Sequence, residues 1–561
     1  MGQGLRAVIC ALNSQYVHSS LAPWCLLAGV EAYCVGGIAA EVVEGTVNED
    51  LGEVLSRILE HKPGVVGFSC YIWNIGKTKK LVRLVKRELP EALIILGGPE
   101  VSFNPAEILR DEPLVDYVIS GEGERPFALL LNAICRGESA QGIPGVSLRT
   151  GEEAYATPPH VSEEDPPSPY SERYLAALDG RIAYLETSRG CPFSCAFCLS
   201  GGSGNLRFFD MERAKNEMLL LANSGAHTVK LVDRTFNSNR KRAAELFDFI
   251  IRNHGIKFPE GVCFHFEIGG DLLDTETIDL LKSAPAGLIQ FEIGIQSFNE
   301  DTLTAVSRKT DIKRLKSNIK RLTERGNIHV HIDLIAGLPF EGLNSFIESF
   351  NAAYELGANM LQLGFLKLLR GSPMHRSRKD YPGVFSESAP YEVRETPWLS
   401  AQDLDFLHRT EQVLNRLYNS GRFRRTLAYI LDSTAATPFE LFSAFAEHLG
   451  ERGTAGISLN KLNALVFEYF AKKPGIDRMT LRDTLVCDNL ATNRSGQVPP
   501  VLKVEDPMLK RMKKRLGQAP GRRGVAILYS EPCVVYADYK AKNPVTGEYP
   551  LTKIPLGDCR T

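Results

Sequence analysis

Three cysteines near the middle of the chain, Cys191, Cys195 and Cys198, are the residues best suited to chemistry. Three and two residues separate them, so a tight loop can bring all three thiolates to one soft-metal site. A structural zinc site would usually add a fourth Cys or His within a few residues, and none follows in the segment 199–204. The alternative, that they are incidental small hydrophobes, fits poorly because the triplet lies on a glycine-flanked loop. The spacing favours a [4Fe-4S] cluster with one open iron.

The run 187–200, with Phe197 before the last cysteine, closely resembles the signature of the radical S-adenosylmethionine (SAM) family. In that family SAM chelates the open iron, and an electron from the cluster breaks a carbon–sulfur bond, usually giving a 5′-deoxyadenosyl radical. The resemblance implies that the three cysteines hold the cluster and that Phe197 contacts the cofactor. Arg189, beside Gly190, is expected to support the loop by a hydrogen bond or by countering the charge of the cluster.

Length and composition limit the function classes. A chain of 561 residues is too long for one core, so two to four domains are expected. A formal charge of −2 offers no basic excess for nucleic acid. No run approaches the roughly 20 apolar residues of a membrane span, and no signal peptide is recognisable. The other cysteines are too dispersed for a disulfide framework, which predicts a soluble protein of the reducing cytoplasm. They are Cys10, Cys25, Cys34, Cys70, Cys135, Cys263, Cys487, Cys533 and Cys559.

Residues 1–140 alternate short apolar runs with segments of helical period, which predicts a doubly wound, Rossmann-like domain with ligands at the carboxyl ends of its strands. The predicted strands are 5–12, 39–46, 64–70, 92–97 and 115–120. Glycine and polar residues follow them, and glycine permits close approach of a ligand to the backbone. The candidates are Ser69, Gly97, Gly98, Glu100, Gly121 and Glu122. A Gly-x-Gly-x-x-Gly run is missing after the first strand, which argues against NAD.

Ahead of the cysteine motif, this arrangement resembles the cobalamin (B12)-binding domain of many radical SAM enzymes. The Gly-Gly-Pro-Glu run at 97–100 and the Gly-Glu-Gly-Glu run at 121–124 are typical of that subclass. The resemblance implies cobalamin as a cofactor, held by the candidates above. The Asp-x-His-x-x-Gly motif, whose histidine ligates cobalt in another B12 domain type, does not occur. His18 is the nearest substitute, and the alternative for it is a hydrogen bond within its loop.

Three further regions follow along the chain. Residues 141–180 read as a linker that begins with a small hairpin and is rich in proline. Residues 181–375 contain six strand–helix units, with strands predicted at 182–187, 228–233, 262–268, 288–295, 327–335 and 360–367. Six such units predict a partial (β/α)6 barrel of TIM type, which matches the radical SAM core. Residues 376–561 are predicted to be mainly helical with a terminal strand pair, and they resemble an accessory region of unassigned function found in one branch of these proteins.

Polar residues at the barrel strand ends are implied, by the same resemblance, to contact SAM. Asp233 and Asn237 follow the second strand, although the family's Gly-Gly-Glu is missing there and Asp233 could instead cap a helix. Glu292 and Gln296 share one face of the fourth strand and suit ribose hydroxyls, since a carboxylate accepts two hydrogen bonds. Gly337 ends the fifth strand, against which adenine packs.

Three histidines on barrel strands, His265, His329 and His331, could form a second metal cluster. Satisfied strand histidines are the favoured interpretation, because no recognisable ligand motif links them to a carboxylate.

The pair of cofactors implies a reaction class. Enzymes of this architecture most commonly methylate an unactivated carbon. The resemblance implies a small-molecule or peptide substrate and an external electron donor of the flavodoxin or ferredoxin type. Two alternatives remain open: a radical rearrangement or transfer of another SAM fragment such as aminocarboxypropyl, and a non-catalytic iron-sulfur or cobalamin sensor.

Overall fold

The computed structural model describes residues 4–151, 153–201, 206–517 and 523–556. Two compact units divide the chain: unit 1 comprises Met1–Glu267 and Lys367–Val393, and unit 2 comprises Ile268–Leu366 and Arg394–Thr561. The predicted α/β class, with a Rossmann-like amino-terminal region and a helical carboxyl-terminal region, is confirmed. The eleven described cysteines are thiols. Cys559 lies outside the described residues.

Unit 1 begins with a doubly wound sheet. Its strands are β1 (Leu5–Asn13), β2 (Ile38–Thr46), β3 (Val65–Ser69), β4 (Leu93–Gly97), β5 (Tyr117–Ile119), β6 (Val146–Thr150) and β7 (Glu153–Tyr155). Their order is β2-β1-β3-β4-β5-β6-β7, with β1 to β5 parallel and the predicted hairpin, β6 and β7, added antiparallel at one edge. The covering helices are α1 (Leu21–Tyr33), α2 (Leu51–Glu60), α3 (Ile75–Glu88), α4 (Pro105–Asp111) and α5 (Glu124–Arg136).

The apolar strands explain this layering. Seven successive residues of β1, 7–13, are buried, as expected of a parallel strand covered on both faces. On α3, Leu81 and Val85 are fully buried while Lys77 and Lys80 are exposed, so one stripe of the helix packs on the sheet. The strand order reverses between β1 and β3, and the carboxyl ends of strands at such a point form a ligand-binding crevice.

A second group of parallel strands lies in the part of unit 1 that ends at residue 267. The elements are α6 (Glu172–Leu178), β8 (Ala183–Leu185), β9 (Ser188–Arg189), β10 (Arg207–Phe208), α7 (Met211–Ala222), β11 (Thr228–Leu231), α8 (Arg240–Asn253) and β12 (Cys263–Glu267). β11 pairs in parallel with both β8 and β12. Three of the six predicted barrel strands therefore lie in unit 1.

The other three lie in unit 2, where β14 pairs in parallel with β13 and β15. This part comprises α9 (Thr275–Lys282), β13 (Ile289–Gln296), α10 (Glu300–Ala305), α11 (Ile312–Thr323), β14 (His329–Ala336), α12 (Leu343–Tyr354) and β15 (Met360–Phe365).

The chain then returns to unit 1 with α13 (Pro373–Arg376), β16 (Val384–Phe385) and the start of β17 (Val393–Glu395). The rest of unit 2 is mainly helical, as predicted. Its helices are α14 (Ala401–Leu414), α15 (Arg424–Ser433), α16 (Pro438–Leu449), α17 (Leu459–Phe470), α18 (Arg478–Thr492) and α19 (Pro507–Gly517). The predicted strand pair is present as β18 (Arg523–Leu528) and β19 (Cys533–Asp538), and β20 (Leu551–Pro555) adds a third antiparallel strand that was not predicted. Within the described ranges, no helix has the length and apolar character to cross a membrane.

Candidate functional site

The loop that carries the cysteines is closed by a two-residue ladder in unit 1. β9 and β10 pair antiparallel, with Arg189 opposite Arg207 and Ser188 opposite Phe208. The loop follows β8, a parallel strand, at its carboxyl end, which is where barrel enzymes place their chemistry.

The three thiols lie on a tight turn of this loop. Cys191 and Cys195 are 9% and 7% exposed, and Cys198 and Phe197 are half-buried. The Cys198 N–H donates to the Cys195 carbonyl (3.1 Å), and the Gly201 N–H donates to the Cys198 carbonyl (3.0 Å). A Cβ on Gly201 would lie 2.2 Å from the Cys195 carbonyl oxygen, so the turn requires glycine there. Three thiols on one turn are the donor set that a [4Fe-4S] cluster needs, and the site fits it.

Asp233 anchors the segment that leads into this loop. Its carboxylate accepts hydrogen bonds from the Thr187 N–H (2.8 Å), the Thr187 hydroxyl (2.7 Å) and the Ser188 hydroxyl (2.6 Å). The side chain is 2% exposed, and burial raises its pKa although these hydrogen bonds oppose the rise. The structure thus gives Asp233 a positioning role, and its predicted contact with SAM stays a prediction.

Asn237 and Thr235 lie just beyond Asp233. Asn237 is buried in a short 3-10 turn. The Thr235 hydroxyl is 3.7 Å from the Cys191 sulfur, so this segment reaches the cysteine turn. The role of Asn237 toward SAM stays a prediction.

A cavity of about 1040 Å³ lies within unit 1, at the carboxyl ends of β1, β3, β4 and β5. It exceeds the roughly 300–1,000 Å³ of ordinary ligand pockets. Ser188, Arg189, Gly190, Leu199 and Ser200, which flank the cysteine turn, line the same cavity. The sheet edge and the cysteine loop therefore line one common cavity.

All six predicted cobalamin contacts line this cavity. They are Ser69, Gly97, Gly98, Glu100, Gly121 and Glu122. Gly98 has a φ of +104°, and a Cβ there would lie 2.6 Å from the Cys70 carbonyl oxygen, so β4 can pass this close to β3 only with glycine. Backbone without side chains, beside the Ser69 hydroxyl, suits an amide-rich ligand such as cobalamin, and the lining of the cavity fits it.

The two glutamates of this group are already engaged by side chains. The Glu100 carboxylate, buried at the cavity wall, accepts a hydrogen bond from the Tyr391 hydroxyl, and burial raises its pKa. The Glu122 carboxylate accepts from Arg189 (2.8 Å) and Arg207 (2.9 Å). Both carboxylates thus have a partner within the protein. Their predicted contacts with cobalamin stay predictions.

His18 and an aromatic pair also line the cavity. His18 Nδ1 is 2.7 Å from the hydroxyl of Tyr184 on β8, so this hydrogen bond reaches outside the loop in which the alternative placed it. Burial and the nearby Lys230 lower the His18 pKa. Tyr71 and Trp73 stack with ring centroids 4.4 Å apart and were missed by the sequence interpretation. Both residues lie directly after β3, and this position was the signal that could have found them. Residues after the neighbouring strands were predicted as ligand contacts on the same ground.

In unit 2, the alternation along β13 confirms which residues share a face. Ile289, Phe291, Ile293 and Ile295 are fully buried on one face, and Gln290, Glu292, Gly294 and Gln296 lie half-buried on the other. Gln296 has a φ of +73° beside a bulge in the β13–β14 register. A Cβ on Gly294 would lie 2.2 Å from Gln296 Nε2, so glycine makes room for this side chain.

The shared half-buried face of Gln296 and Glu292 is consistent with their predicted contact with the ribose of SAM. Within the described chain, Gln296 Oε1 is buried and has no hydrogen-bond partner. An acceptor in that state suits a ligand hydroxyl. Their contact with SAM stays a prediction, as does that of Gly337, which follows β14 with a φ of +94°.

His331 and Asp333 on β14 complete a polar group that sequence reasoning missed. His331 Nε2 is 2.7 Å from Asp333 Oδ1, and ligand atoms of Glu292, His331 and Asp333 lie within 4.8 Å of one another. The premise that no recognisable ligand motif links the strand histidines to a carboxylate is therefore wrong for His331, while the interpretation of the three as satisfied strand histidines stays a prediction. Residues two apart on a strand share a face, and this spacing was the signal that could have found Asp333.

Glu341 stabilises the end of β13 through hydrogen bonds. Its Oε1 accepts hydrogen bonds from the hydroxyls of Ser297 (2.6 Å) and Ser349 (3.0 Å). Glu341 is fully buried, and burial raises its pKa to about 7. Ser297 directly follows Gln296, so this carboxyl group holds the backbone beside the unusual φ.

Comparison with known proteins agrees with this geometry. The B12 binding domain model matches residues 9–131, and the radical SAM superfamily model matches residues 185–353. Together these matches show a B12-binding region followed by a radical SAM region. The predicted cofactors, a [4Fe-4S] cluster, SAM and cobalamin, are those of the two matched families. A third model, described as a protein of unknown function (DUF4080), matches residues 379–523.

Two curated relatives of this chain carry methyltransferase names. The "Cobalamin-dependent radical SAM methyltransferase TokK" of Streptomyces tokunonensis is 30% identical over 353 residues, 58% of this chain and 50% of that protein. The "2-(S-pantetheinyl)-carbapenam-3-carboxylate methyltransferase" of Streptantibioticus cattleyicolor is 32% identical over 325 residues, 53% of this chain and 45% of that protein. The chain thus spans about half the length of the curated relatives it matches.

A solved structure supports the fold. The cobalamin-dependent SAM radical enzyme OxsB, with aqua-cobalamin and SAM bound, aligns with a TM-score of 0.60. The alignment covers 87% of this chain and 79% of that chain at 13% sequence identity. This likeness concerns the fold alone.

Proposed function

We propose that this chain is a cobalamin-dependent radical SAM enzyme that methylates an unactivated carbon. The observation that carries the proposal is the shared cavity of unit 1. Strand ends of the B12-binding region and the flanks of the cysteine turn line the same space of about 1040 Å³. An enzyme that combines the two cofactors needs such a space, whereas an iron-sulfur or cobalamin sensor does not.

Different residues of unit 1 hold each of the two metal cofactors. Cys191, Cys195 and Cys198 ligate the cluster, and Asp233 fixes the segment that presents them. Ser69 and the glycines of β4 face cobalamin. We infer that cobalt lacks a histidine ligand, because the Asp-x-His-x-x-Gly motif does not occur in the chain.

In unit 2, Glu292 and Gln296 accept hydrogen bonds from the ribose hydroxyls of SAM, and Asp333 lies close enough to Glu292 to share this task. When bound, the cluster with SAM supplies an organic radical and cobalamin supplies a methyl group. The half-buried strand faces limit the access of water to these polar groups.

The substrate and the reductant belong to the same proposal. Radical SAM methyltransferases act on small molecules and need an external reductant. We propose a small-molecule or peptide substrate and an electron donor of the flavodoxin or ferredoxin type. Transfer of a different SAM fragment, such as aminocarboxypropyl, is the outcome that the product analysis below would reveal instead.

Product analysis after anaerobic reconstitution tests the proposal. The protein is incubated with iron, sulfide and cobalamin, then with SAM and dithionite, and the nucleoside products are separated by chromatography. Methyl transfer predicts S-adenosylhomocysteine together with 5′-deoxyadenosine. Methylthioadenosine would indicate aminocarboxypropyl transfer, and uncleaved SAM would contradict an enzymatic function. Cys198→Ala should abolish 5′-deoxyadenosine formation, and Cys135→Ala, at an exposed thiol outside the motif, should not.

A further inference from the structure

The two ends of the cysteine loop converge on one carboxylate of the B12-binding region. Arg189 and Arg207 lie opposite each other in the ladder that closes the loop. Arg189 Nη1 donates to Glu122 Oε2 (2.8 Å), and Arg207 Nη2 donates to the same oxygen (2.9 Å). Glu122 therefore contacts the residue that enters the loop and the residue that leaves it.

Arg189 is held on every side. Its five N–H groups make five hydrogen bonds, which is the full donor capacity of a guanidinium. Besides Glu122, the acceptors are both carboxylate oxygens of Glu186 (3.0 and 2.9 Å) and of Glu124 (2.6 and 3.3 Å). Bidentate pairing with carboxylates fixes the orientation of the guanidinium. These contacts therefore hold Arg189, two positions before Cys191, in one orientation.

Glu122 is itself fixed by the sheet edge. It follows β5, and its N–H donates to the His160 carbonyl (2.8 Å), while the His160 N–H donates to the Ser120 carbonyl (2.9 Å). The side chains of Glu122, Arg189 and Arg207 are 15%, 17% and 19% exposed, so water screens their attraction only in part. Ionic contacts this buried are costly to break on one side, because the partner charges stay behind.

We propose that Glu122 is a positioning residue that clamps both ends of the cysteine loop to the B12-binding region and so sets the distance from the cluster to cobalamin. This inference rests on the proposed function. It adds a positioning role to the predicted cofactor contact of Glu122, because Oε2 of the carboxylate accepts hydrogen bonds from both arginines. The Gly-Glu-Gly-Glu run then serves the loop through both of its glutamates, because Glu124 binds Arg189 as well.

Comparison of Glu122→Ala with a matched control tests the clamp. Glu112 is a suitable control because its side chain is 18% exposed, and it also faces two cations, Lys79 (2.8 Å) and Arg83 (3.9 Å), away from the cysteine loop. Each variant is reconstituted with iron, sulfide and cobalamin. The dipolar coupling between the reduced cluster and cob(II)alamin is then measured by pulsed electron paramagnetic resonance. Amide hydrogen exchange is measured separately on the unreconstituted proteins.

The clamp predicts that Glu122→Ala keeps its cobalt and iron but shows a broadened or shifted distribution of cluster-to-cobalt distances. It also predicts exchange faster by roughly tenfold or more in peptides covering 188–201 and 206–209. Glu122→Gln, which keeps one acceptor oxygen, should lie between the wild type and Glu122→Ala, and it replaces Glu122→Ala if that variant does not fold. Arg207→Met should reproduce the change.

Glu122 variants that match Glu112→Ala in both the distance distribution and the exchange would overturn the clamp. Failure of the wild type to retain cobalamin or iron would instead overturn the proposed function. In that case the hydrogen exchange of the unreconstituted protein still decides whether Glu122 holds the loop.

Discussion

At the scale of single residues, Asp233 organises the entry to the cysteine turn. Three donors converge on a carboxylate that is 2% exposed, and two of them come from Thr187. Removal of this buried carboxylate would destabilise the loop, because three buried donors would then lack a hydrogen-bond acceptor.

Asp233→Ala should therefore destabilise unit 1 and weaken cluster binding. Loss of three buried hydrogen bonds is expected to cost on the order of 3 kcal/mol. Urea unfolding would measure the stability, and iron per chain after reconstitution would measure cluster binding. Asp233→Asn keeps one acceptor oxygen and should lose less. Wild-type iron content and stability in Asp233→Ala would contradict the anchoring role.

Gly201 is a second residue on which the turn depends. Gly201→Ala would place a Cβ 2.2 Å from one carbonyl oxygen and 3.0 Å from another, both in the cysteine turn, so the backbone must move. We expect at least a several-fold loss of iron retained after desalting. Gly76→Ala, where a Cβ meets nothing within 4 Å, controls for the substitution itself. Equal iron content in the two variants would refute the requirement for glycine.

At the scale of elements, β13 and β14 carry the polar face of unit 2, and Glu341 supports it. The hydrogen bonds from Ser297 and Ser349 hold its Oε1, and within the described residues its Oε2 has no partner. A fully buried carboxyl group that accepts so few hydrogen bonds favours its protonated, uncharged form.

The raised pKa of Glu341 predicts a pH-dependent stability. Its folded-state pKa of about 7 lies above the ordinary 4.5, so the contribution is complete below that ordinary value and is lost as the pH rises through about 7. Between about pH 5.5 and about pH 8, the free energy of unfolding should fall by roughly 2 kcal/mol more in the wild type than in Glu341→Gln. Urea unfolding of both proteins at the two pH values measures this. Parallel changes would show that Glu341 does not titrate in this range.

The elements themselves were largely predictable, and for physical reasons. Alternating burial along β13 follows from the two-residue period of a strand, which correctly placed Glu292 and Gln296 on one face. The positive φ of Gln296 did not follow, because a bulge leaves no periodic trace in a sequence. The pairing of His331 with Asp333 was missed although their two-residue spacing places both on one face of β14. β20 was missed because it is short and its residues alternate only weakly.

At the scale of the whole molecule, the central feature is that unit 1 holds two cofactor regions around one cavity. The motifs of both regions were recognisable because glycine and cysteine spacing is local. The ionic cluster that joins them was not, since Glu122 and Arg189 lie 67 residues apart and their pairing depends on the folded sheet. The Tyr71–Trp73 stack was missed although both residues lie directly after β3.

Metal content after reconstitution tests the central claim most directly, because it asks whether one chain holds both cofactors at separate sites. The wild type, reconstituted anaerobically and desalted, should retain cobalt and about four iron atoms per chain. Cys198→Ala should lose iron and keep cobalt, whereas Ser69→Phe, which fills the cavity at β3, should lose cobalt and keep iron. A wild-type protein that retains neither metal, or a cavity variant that keeps its cobalt, would contradict the account.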